Sequence, residues 1–334
     1  MILKQLGQSD LDVSQIGLGA LHFGAYLSEK QSAEIICYAL DSGINLIDVG
    51  PLYGNGLAER IVGKAIAGRR DQVVLTTKVG LARRELADGS FGVDVLPLTP
   101  GNIRKSLESS LVELGTDYID LFQFHAYDAN TSLEDSFGVM NELVGEGKVR
   151  AIGVSNFSPE ELLASINVIE RNSWTPIASI ESHYNMIERM VEGSLAEICL
   201  DNNIGMLPYR SLARGILTGK YKIGEPLPVN SRAVDSWRVR DWLTDETLSL
   251  VESLSKYAKE NNSCITGLSL SWLLAQKFVP SVLVGARSIE QLQGSISALN
   301  WILTELDLID VDEIIVSMNQ LSKVRSLPNV YFEK

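Results

Sequence analysis

The chain is predicted to fold as a single (β/α)8 barrel, an α/β TIM-type architecture, on the strength of three observations. First, eight short apolar runs recur along its 334 residues: Ile16–Leu18, Leu46–Asp48, Val73–Thr77, Ile119–Phe124, Ala151–Val154, Ile177–Ile180, Gly205–Pro208 and Val282–Val284. Short apolar runs separated by helical stretches imply parallel strands covered on both faces. Second, the helices between them carry their own start signals. Third, polar residues stand where several of these strands end, on the side where a parallel barrel carries its chemistry.

Taken in order, Leu3–Leu6, the turn Gly7–Asp12 and Val13–Ile16 read as an N-terminal β-hairpin (about 1–16) suited to covering one end of a larger fold. Ser28 to Gln31 and Ser288 to Gln291 have capping-box spacing, and Ser158-Pro159-Glu160-Glu161 adds a proline at the first helical position. Thr99-Pro100 opens a helix running to about Leu114 and stopping at Gly115, and the helix from about Ser132 stops at Gly145 and Gly147. Residues 220 to 245 form a long excursion with Pro226, Pro228, Trp237 and Trp242, read as a packed lid. From about 303 to 334 the pattern is a helix and a tail. No linker divides the chain, so residues 1–334 read as one domain. Gly17-Leu18-Gly19 follows a strand, but the next glycine is Gly24, so the GxGxxG spacing of a doubly wound dinucleotide fold is missing.

Composition narrows the function classes. At 45% hydrophobic and 21% charged residues the chain reads as globular with a sizeable core. A net charge of -13 argues against nucleic acid as a partner, because phosphate binding needs a basic face. Cys37, Cys199 and Cys264 are scattered, with neither disulfide nor metal-ligand spacing, and each reads as a buried small hydrophobe. The N-terminal residues lack the apolar region of a signal peptide, and no apolar run reaches the ~18 residues of a membrane span. A reducing cytoplasm is the expected setting. A closed barrel has no open sheet edge, so oligomeric state is not readable.

Asp48, Tyr53, Lys78 and His125 form the candidate catalytic set. Asp48 closes one run and opens a Gly/Pro turn carrying Tyr53; Lys78 and His125 close the next two. In carbonyl reduction, hydride reaches carbon and charge grows on oxygen, where an acid must deliver a proton. A phenol with an ordinary pKa of about 10 is a poor acid near neutrality, and a neighbouring ammonium lowers that value. Lys78 would do this for Tyr53, Asp48 would balance Lys78, and His125 would orient the carbonyl and share the proton. Taken singly, Asp48 and Lys78 suit a structural ion pair and His125 a core histidine. Their placement on successive strands favours the joint reading.

Three segments carry a family resemblance. Asp48-Val49-Gly50-Pro51-Leu52-Tyr53-Gly54-Asn55-Gly56-Leu57-Ala58-Glu59 resembles the strand-two motif of the aldo-keto reductase superfamily. Gly147-Lys148-Val149-Arg150-Ala151-Ile152-Gly153-Val154-Ser155-Asn156-Phe157 resembles its strand-five signature, and Val284-Gly285-Ala286-Arg287-Ser288 its adenine-side segment. The resemblance spans about residues 3 to 300. It implies an oxidoreductase that transfers hydride between a nicotinamide dinucleotide, NADP or NAD, and a carbonyl or alcohol substrate, with the cofactor extended across the rim. By the same resemblance Tyr53 is the general acid, Lys78 and Asp48 tune it, and His125 orients the carbonyl. Cofactor contacts are implied for Gly19 and Ala20, Asp48, Ser155 and Asn156 at the carboxamide, and Tyr209 stacking on the nicotinamide. Arg210, Ser211, Leu212, Arg214, Gly215 and Leu217 are expected near the pyrophosphate, and Gly285, Arg287 and Gln291 at the adenosine 2′ position. Substrate contacts are expected from Phe23, Tyr53, His125 and Tyr127.

The chain also departs from the family pattern. Glu181 stands where a Gln usually holds the carboxamide; a carboxylate there would favour the positive, oxidised nicotinamide and bias the enzyme toward dehydrogenation. Gly294-Ser295 and Arg210-Ser211 replace the usual Glu-Asn and Ser-Pro pairs, which leaves NADP against NAD open, with Arg287 leaning toward NADP. Sugar, aldehyde and ketone substrates all fit the expected wall. A cofactor-binding regulatory protein resembling potassium-channel β subunits is the alternative, because such proteins retain the same four residues.

Overall fold

The computed structural model describes residues 1–85, 91–229 and 231–321. The strands are β1 (Leu3–Gln5), β2 (Asp12–Ser14), β3 (Ile16–Gly19), β4 (Leu46–Asp48), β5 (Val74–Val79), β6 (Leu81–Glu85), β7 (Phe91–Val95), β8 (Ile119–Phe124), β9 (Val149–Ser155), β10 (Ile177–His183), β11 (Gly205–Tyr209) and β12 (Val282–Val284). The helices are α1 (Glu29–Asp41), α2 (Ala58–Ala65), α3 (Pro100–Leu114), α4 (Leu133–Gly145), α5 (Pro159–Asn172), α6 (Ser194–Asp201), α7 (Arg232–Asp235), α8 (Trp237–Arg240), α9 (Asp245–Glu260), α10 (Ile265–Ala275), α11 (Ile289–Ser297) and α12 (Glu305–Leu321). The chain forms two compact units. One comprises Met1–Ser182, Val191–Tyr209 and Lys277–Leu292; the other His183–Met190, Arg210–Gln276 and Gln293–Lys334.

The first unit holds the predicted barrel. Its eight-stranded sheet has the order β11-β10-β9-β8-β5-β4-β3-β12. The paired strands run parallel, for example Thr76 beside Leu121 and Gln123 beside Gly153. β11 comes back against β12, so the sheet nearly closes. The caps read from the sequence are present. Ser28 and Ser158 form full capping boxes with Gln31 and Glu161, and the Thr99 side chain accepts from Asn102 N–H. Gln291 serves as half of the expected box: its N–H donates to Ser288 Oγ at 3.3 Å, while its Oε1 accepts from the Arg287 backbone N–H at 2.9 Å.

The hairpin β1–β2 covers the N-terminal ends of the strands. Leu6, Leu11 and Val13 form one buried cluster with Leu46, Val74, Leu121, Ala151, Ala178, Leu207 and Leu283. β6 and β7 form an antiparallel ribbon that the sequence reading missed. Val93 and Val95 on β7 are exposed, so that strand lacks the alternation of buried and exposed apolar residues that would mark it in the sequence.

The second unit is helical. In it, Tyr257 on α9 donates its hydroxyl to Asp307 and Asp310 on α12, at 3.0 and 3.1 Å. Burial and the two carboxylates push that phenol's pKa up. Gly267 on α10 passes so close to Ala298 that a Cβ would lie 2.7 Å from its carbonyl oxygen. The 220–245 excursion contains α7 and α8, but Trp237 is 60% exposed, so it does not pack as expected of a lid. Two cysteine expectations also fail: Cys37 and Cys264 are exposed, and only Cys199 is buried. Cys264 caps α10, its sulfur accepting from Gly267 N–H. The tail beyond Leu321 lies outside the described residues. Among the described residues no helix is long and apolar enough to cross a membrane, and no group of His, Cys, Asp or Glu could hold a metal ion.

Candidate active site

Strand alternation carries the chemistry from the covered end of the barrel to the open one. Leu46, Val74, Leu121 and Ala151 belong to the cluster beneath the hairpin. Residues two further on share their face: Asp48 on β4, Thr76 and then Lys78 on β5, Gln123 on β8 and then His125, Gly153 and then Ser155 on β9. The intervening side chains face outward; Thr77 donates its hydroxyl to Glu59 on α2 at 2.6 Å. On β10 the register shifts between Ile177 and Ser179. The shift lets Ala178 join the apolar cluster while Ser179 and Glu181 face Gln123 and Lys78.

Tyr53 arrives from the turn after β4. Its N–H donates to Gly50 O at 2.9 Å. Gly54 and Asn55 adopt left-handed conformations, φ 58° and 59°. A Cβ on Gly54 would stand 1.7 Å from Phe23 O, so only glycine fits there. The turn delivers the phenol onto the Lys78 ammonium, which donates to Tyr53 Oη at 3.1 Å, and the hydroxyl lies 3.4 Å from Asp48 Oδ2. Asp48 Oδ1 accepts from Lys78 Nζ and, at 2.6 Å, from Thr76 Oγ1. The His125 ring meets Tyr53 edge-on, centroids 6.2 Å apart.

These groups are almost completely buried, Lys78 at 0% exposure and Tyr53 at 8%. Burial by itself would lower the Lys78 pKa, but the Asp48 and Glu181 carboxylates outweigh it and raise the value, so Lys78 is an ammonium. Burial, with Lys78 adding to it, lowers His125 to about 3. His125 is therefore neutral at physiological pH and can both donate and accept. Glu181 makes an ion pair with Lys78 at 3.2 Å and accepts from Gln123 Nε2 at 3.2 Å. Burial and the nearby Asp48 push its pKa up to about 7 against the opposing pull of Lys78.

The structure thus brings together all four candidate catalytic residues. It adds Glu181, Gln123 and Thr76, of which only Glu181 figured in the sequence reading, and then as a cofactor contact. Gln123 and Thr76 sit two residues before His125 and Lys78, a spacing that points to them once the inward face is known. Most of the remaining first-unit residues lie at or just beyond strand ends, while Gln291 lies in α11. Asn156, at φ 60°, donates to His125 O at 3.1 Å and accepts from the Tyr209 hydroxyl at 2.7 Å. Ser155 Oγ donates to Glu181 O at 3.1 Å. Gly19 ends β3 and Ala20 follows it, and Gly285 follows the neighbouring strand β12. Arg287 lies over the Tyr26 ring, 4.3 Å from its centroid. An amide, a hydroxyl and a phenol on one part of this rim and a guanidinium before α11 on another suit a long cofactor with a carboxamide at one end and phosphate at the other. Of the expected substrate contacts, Phe23 is buried and Tyr127 half-buried against Phe157.

In the second unit, Arg210 and Arg214 are left-handed at φ 55° and 57°, with Gly215 at φ 94°. Gly215 and Leu217 N–H both donate to Leu212 O, and Ser211 is buried. His183 is lowered to about 3 by burial and by the Arg210 and Arg214 charges.

A family model described as "Aldo/keto reductase family" matches residues 15–316. The aldo-keto reductase YhdN of Bacillus subtilis is 37% identical over 327 residues, covering 94% of both chains. The NADH-specific methylglyoxal reductase of Escherichia coli is 32% identical over 316 residues, covering 90% of this chain and 94% of its own. The solved glycerol dehydrogenase AKR11B4 from Gluconobacter oxydans superposes with a TM-score of 0.84 at 30% identity, covering 95% of each chain. Sequence and fold agree over nearly the whole length, and the protein belongs to the aldo/keto reductase family, whose members are nicotinamide-dependent oxidoreductases acting on carbonyl and alcohol groups.

Proposed function

We propose that Tyr53 is the general acid and base of the reaction, that Lys78 and Asp48 tune it, and that neutral His125 orients the substrate oxygen. The observation that carries this reading is the Tyr53 hydroxyl held 3.1 Å from the Lys78 ammonium. When bound, the nicotinamide supplies or accepts the hydride. In reduction Tyr53 gives its proton to the oxygen that gains charge, and Lys78 stabilises the phenolate left behind. In oxidation the phenolate takes the hydroxyl proton. His125, held near pKa 3, contributes a ring N–H without a competing charge.

Ser155, Asn156 and Tyr209 are assigned to the nicotinamide end and Gly285, Arg287 and Gln291 to the adenosine end. The Arg287 guanidinium before α11 favours the phosphorylated cofactor, NADP, although one relative is named as NADH-specific. The names of two relatives concern methylglyoxal and glycerol, both three-carbon compounds. The substrate class proposed here is short, oxygenated aldehydes and ketones with their alcohols.

The test follows cofactor absorbance with a panel of three-carbon and longer carbonyls and polyols, in both directions, with NADPH and NADH. Tyr53→Phe is expected to cut turnover by about 10²–10⁴-fold with cofactor affinity preserved. Turnover within a fewfold of the parent would remove Tyr53 from this role. Uniformly slow turnover of every compound beside tight cofactor binding would favour a sensor.

A further inference from the structure

Among the described residues Lys78 has two counter-ions. Asp48, from the neighbouring strand β4, is the one the sequence suggests. Glu181, from β10, is the other, with Oε2 3.2 Å from Lys78 Nζ. Its position is built: Gln123 Nε2 donates to the same oxygen at 3.2 Å, and Ser179 Oγ donates to Gln123 Oε1 at 3.3 Å. This packing depends on Gly153, where a Cβ would lie 2.6 Å from Ser179 Oγ and 3.1 Å from Gln123 Oε1.

Among the described residues, charged and titratable groups come to the phenol from several elements. Asp48 comes from β4, Lys78 from β5, His125 from the end of β8 and Glu181 from β10, with Glu59 on α2 behind Lys78. Gln123, Ser155 and Thr76 are uncharged. One ammonium facing the carboxylates of Asp48 and Glu181 leaves that trio with one net negative charge whenever both acids are ionised. With Asp48 alone the ammonium would be only balanced, and its field would reach the phenol less opposed.

We propose that Glu181 is a positioning residue acting through Lys78: its carboxylate offsets the ammonium's pull on the Tyr53 phenol and so holds that phenol in its protonated, proton-donating form. The inference rests on Tyr53 being the acid. Burial pushes the Glu181 pKa up only to about 7, and the 3.2 Å ion pair with Lys78 favours its charged form, so it carries its charge in the alkaline range in which a phenol loses its proton. A unit charge on the order of 6 Å away, at an effective dielectric of about 20, moves a pKa by roughly two units.

The experiment uses the cofactor-free full chain and reads phenolate absorbance against pH. Tyr53 is isolated by subtracting the Tyr53→Phe titration from the parent, and that of the double variant from Glu181→Gln. The Tyr53 midpoint is expected to fall by roughly one to two pH units in Glu181→Gln, an increase of about 10–100-fold in phenol acidity. Glu181→Asp keeps the charge and is expected to stay near the parent. A midpoint unchanged in Glu181→Gln would overturn the proposal. So would an equal shift in both variants, which would trace the effect to packing rather than charge. The reading of Tyr53 itself falls on a separate result: a Tyr53→Phe enzyme that still turns over.

Discussion

The same barrel strands end in two opposite environments. At the N-terminal end, Leu46, Val74, Leu121, Ala151 and Ala178 close against Leu6, Leu11 and Val13 of the hairpin, with no charged side chain in the cluster. Two to four residues further along, Asp48, Lys78, His125 and Glu181 are buried almost as completely, yet they carry ionisable groups. Both regions exclude water. One gains stability from apolar burial, while the other spends desolvation on charges that must be paired. The contrast separates what holds the barrel from what it is used for: hairpin changes should act on stability, rim changes on chemistry and on pH dependence.

The largest effect is expected at Lys78. Lys78→Met leaves Asp48 and Glu181 buried without their shared cation, at a cost of about 3–5 kcal/mol in denaturant unfolding, with turnover lost as well. A variant as stable as the parent would mean that the two carboxylates simply protonate, and the rim would then resemble the covered end. Next comes the hairpin. Leu6→Ala is expected to cost about 2–5 kcal/mol while leaving kcat per folded molecule unchanged. A drop in kcat at constant folded fraction would show that the two ends are coupled.

The smallest effect is a pH dependence. Folding raises the Glu181 pKa to about 7, above its unfolded value of about 4.3. The folded state thus holds that proton more tightly. The resulting stabilisation is fully present below about pH 4 and is lost as pH rises through about 7. Glu181→Gln has no such titration. Between pH 5 and 8 the parent should lose stability relative to the variant, on the order of 1–3 kcal/mol, read from melting temperatures at each pH. Parallel profiles would show that Lys78 keeps the acid ionised throughout.

The chain's local chemistry made much of this legible. Eight apolar runs, the Ser28, Thr99, Ser132 and Ser158 caps and the Gly-rich turn after Asp48 all act over a few residues, so they can be read one segment at a time. The four candidate catalytic residues were legible because each stands at or near the C-terminal end of a strand or in the turn after it, Lys78 one residue before the end of β5. The β6–β7 ribbon was not, because Val93 and Val95 are exposed, and the exposure of Cys37, Cys264 and Trp237 depends on what packs nearby.

What the sequence determined alone was therefore the alternation of strand and helix, the helix ends and which phenol, ammonium and imidazole stand together at the barrel mouth. Only the tertiary structure decided that Glu181 pairs with Lys78. The two residues stand on β10 and β5, with β8 and β9 between them in the sheet. A curved sheet brings such side chains together across its interior, and the bulge at the start of β10 selects which face Glu181 takes. Neither the curvature nor that one-residue shift leaves a mark in local propensity, because both arise from how distant strands register against one another.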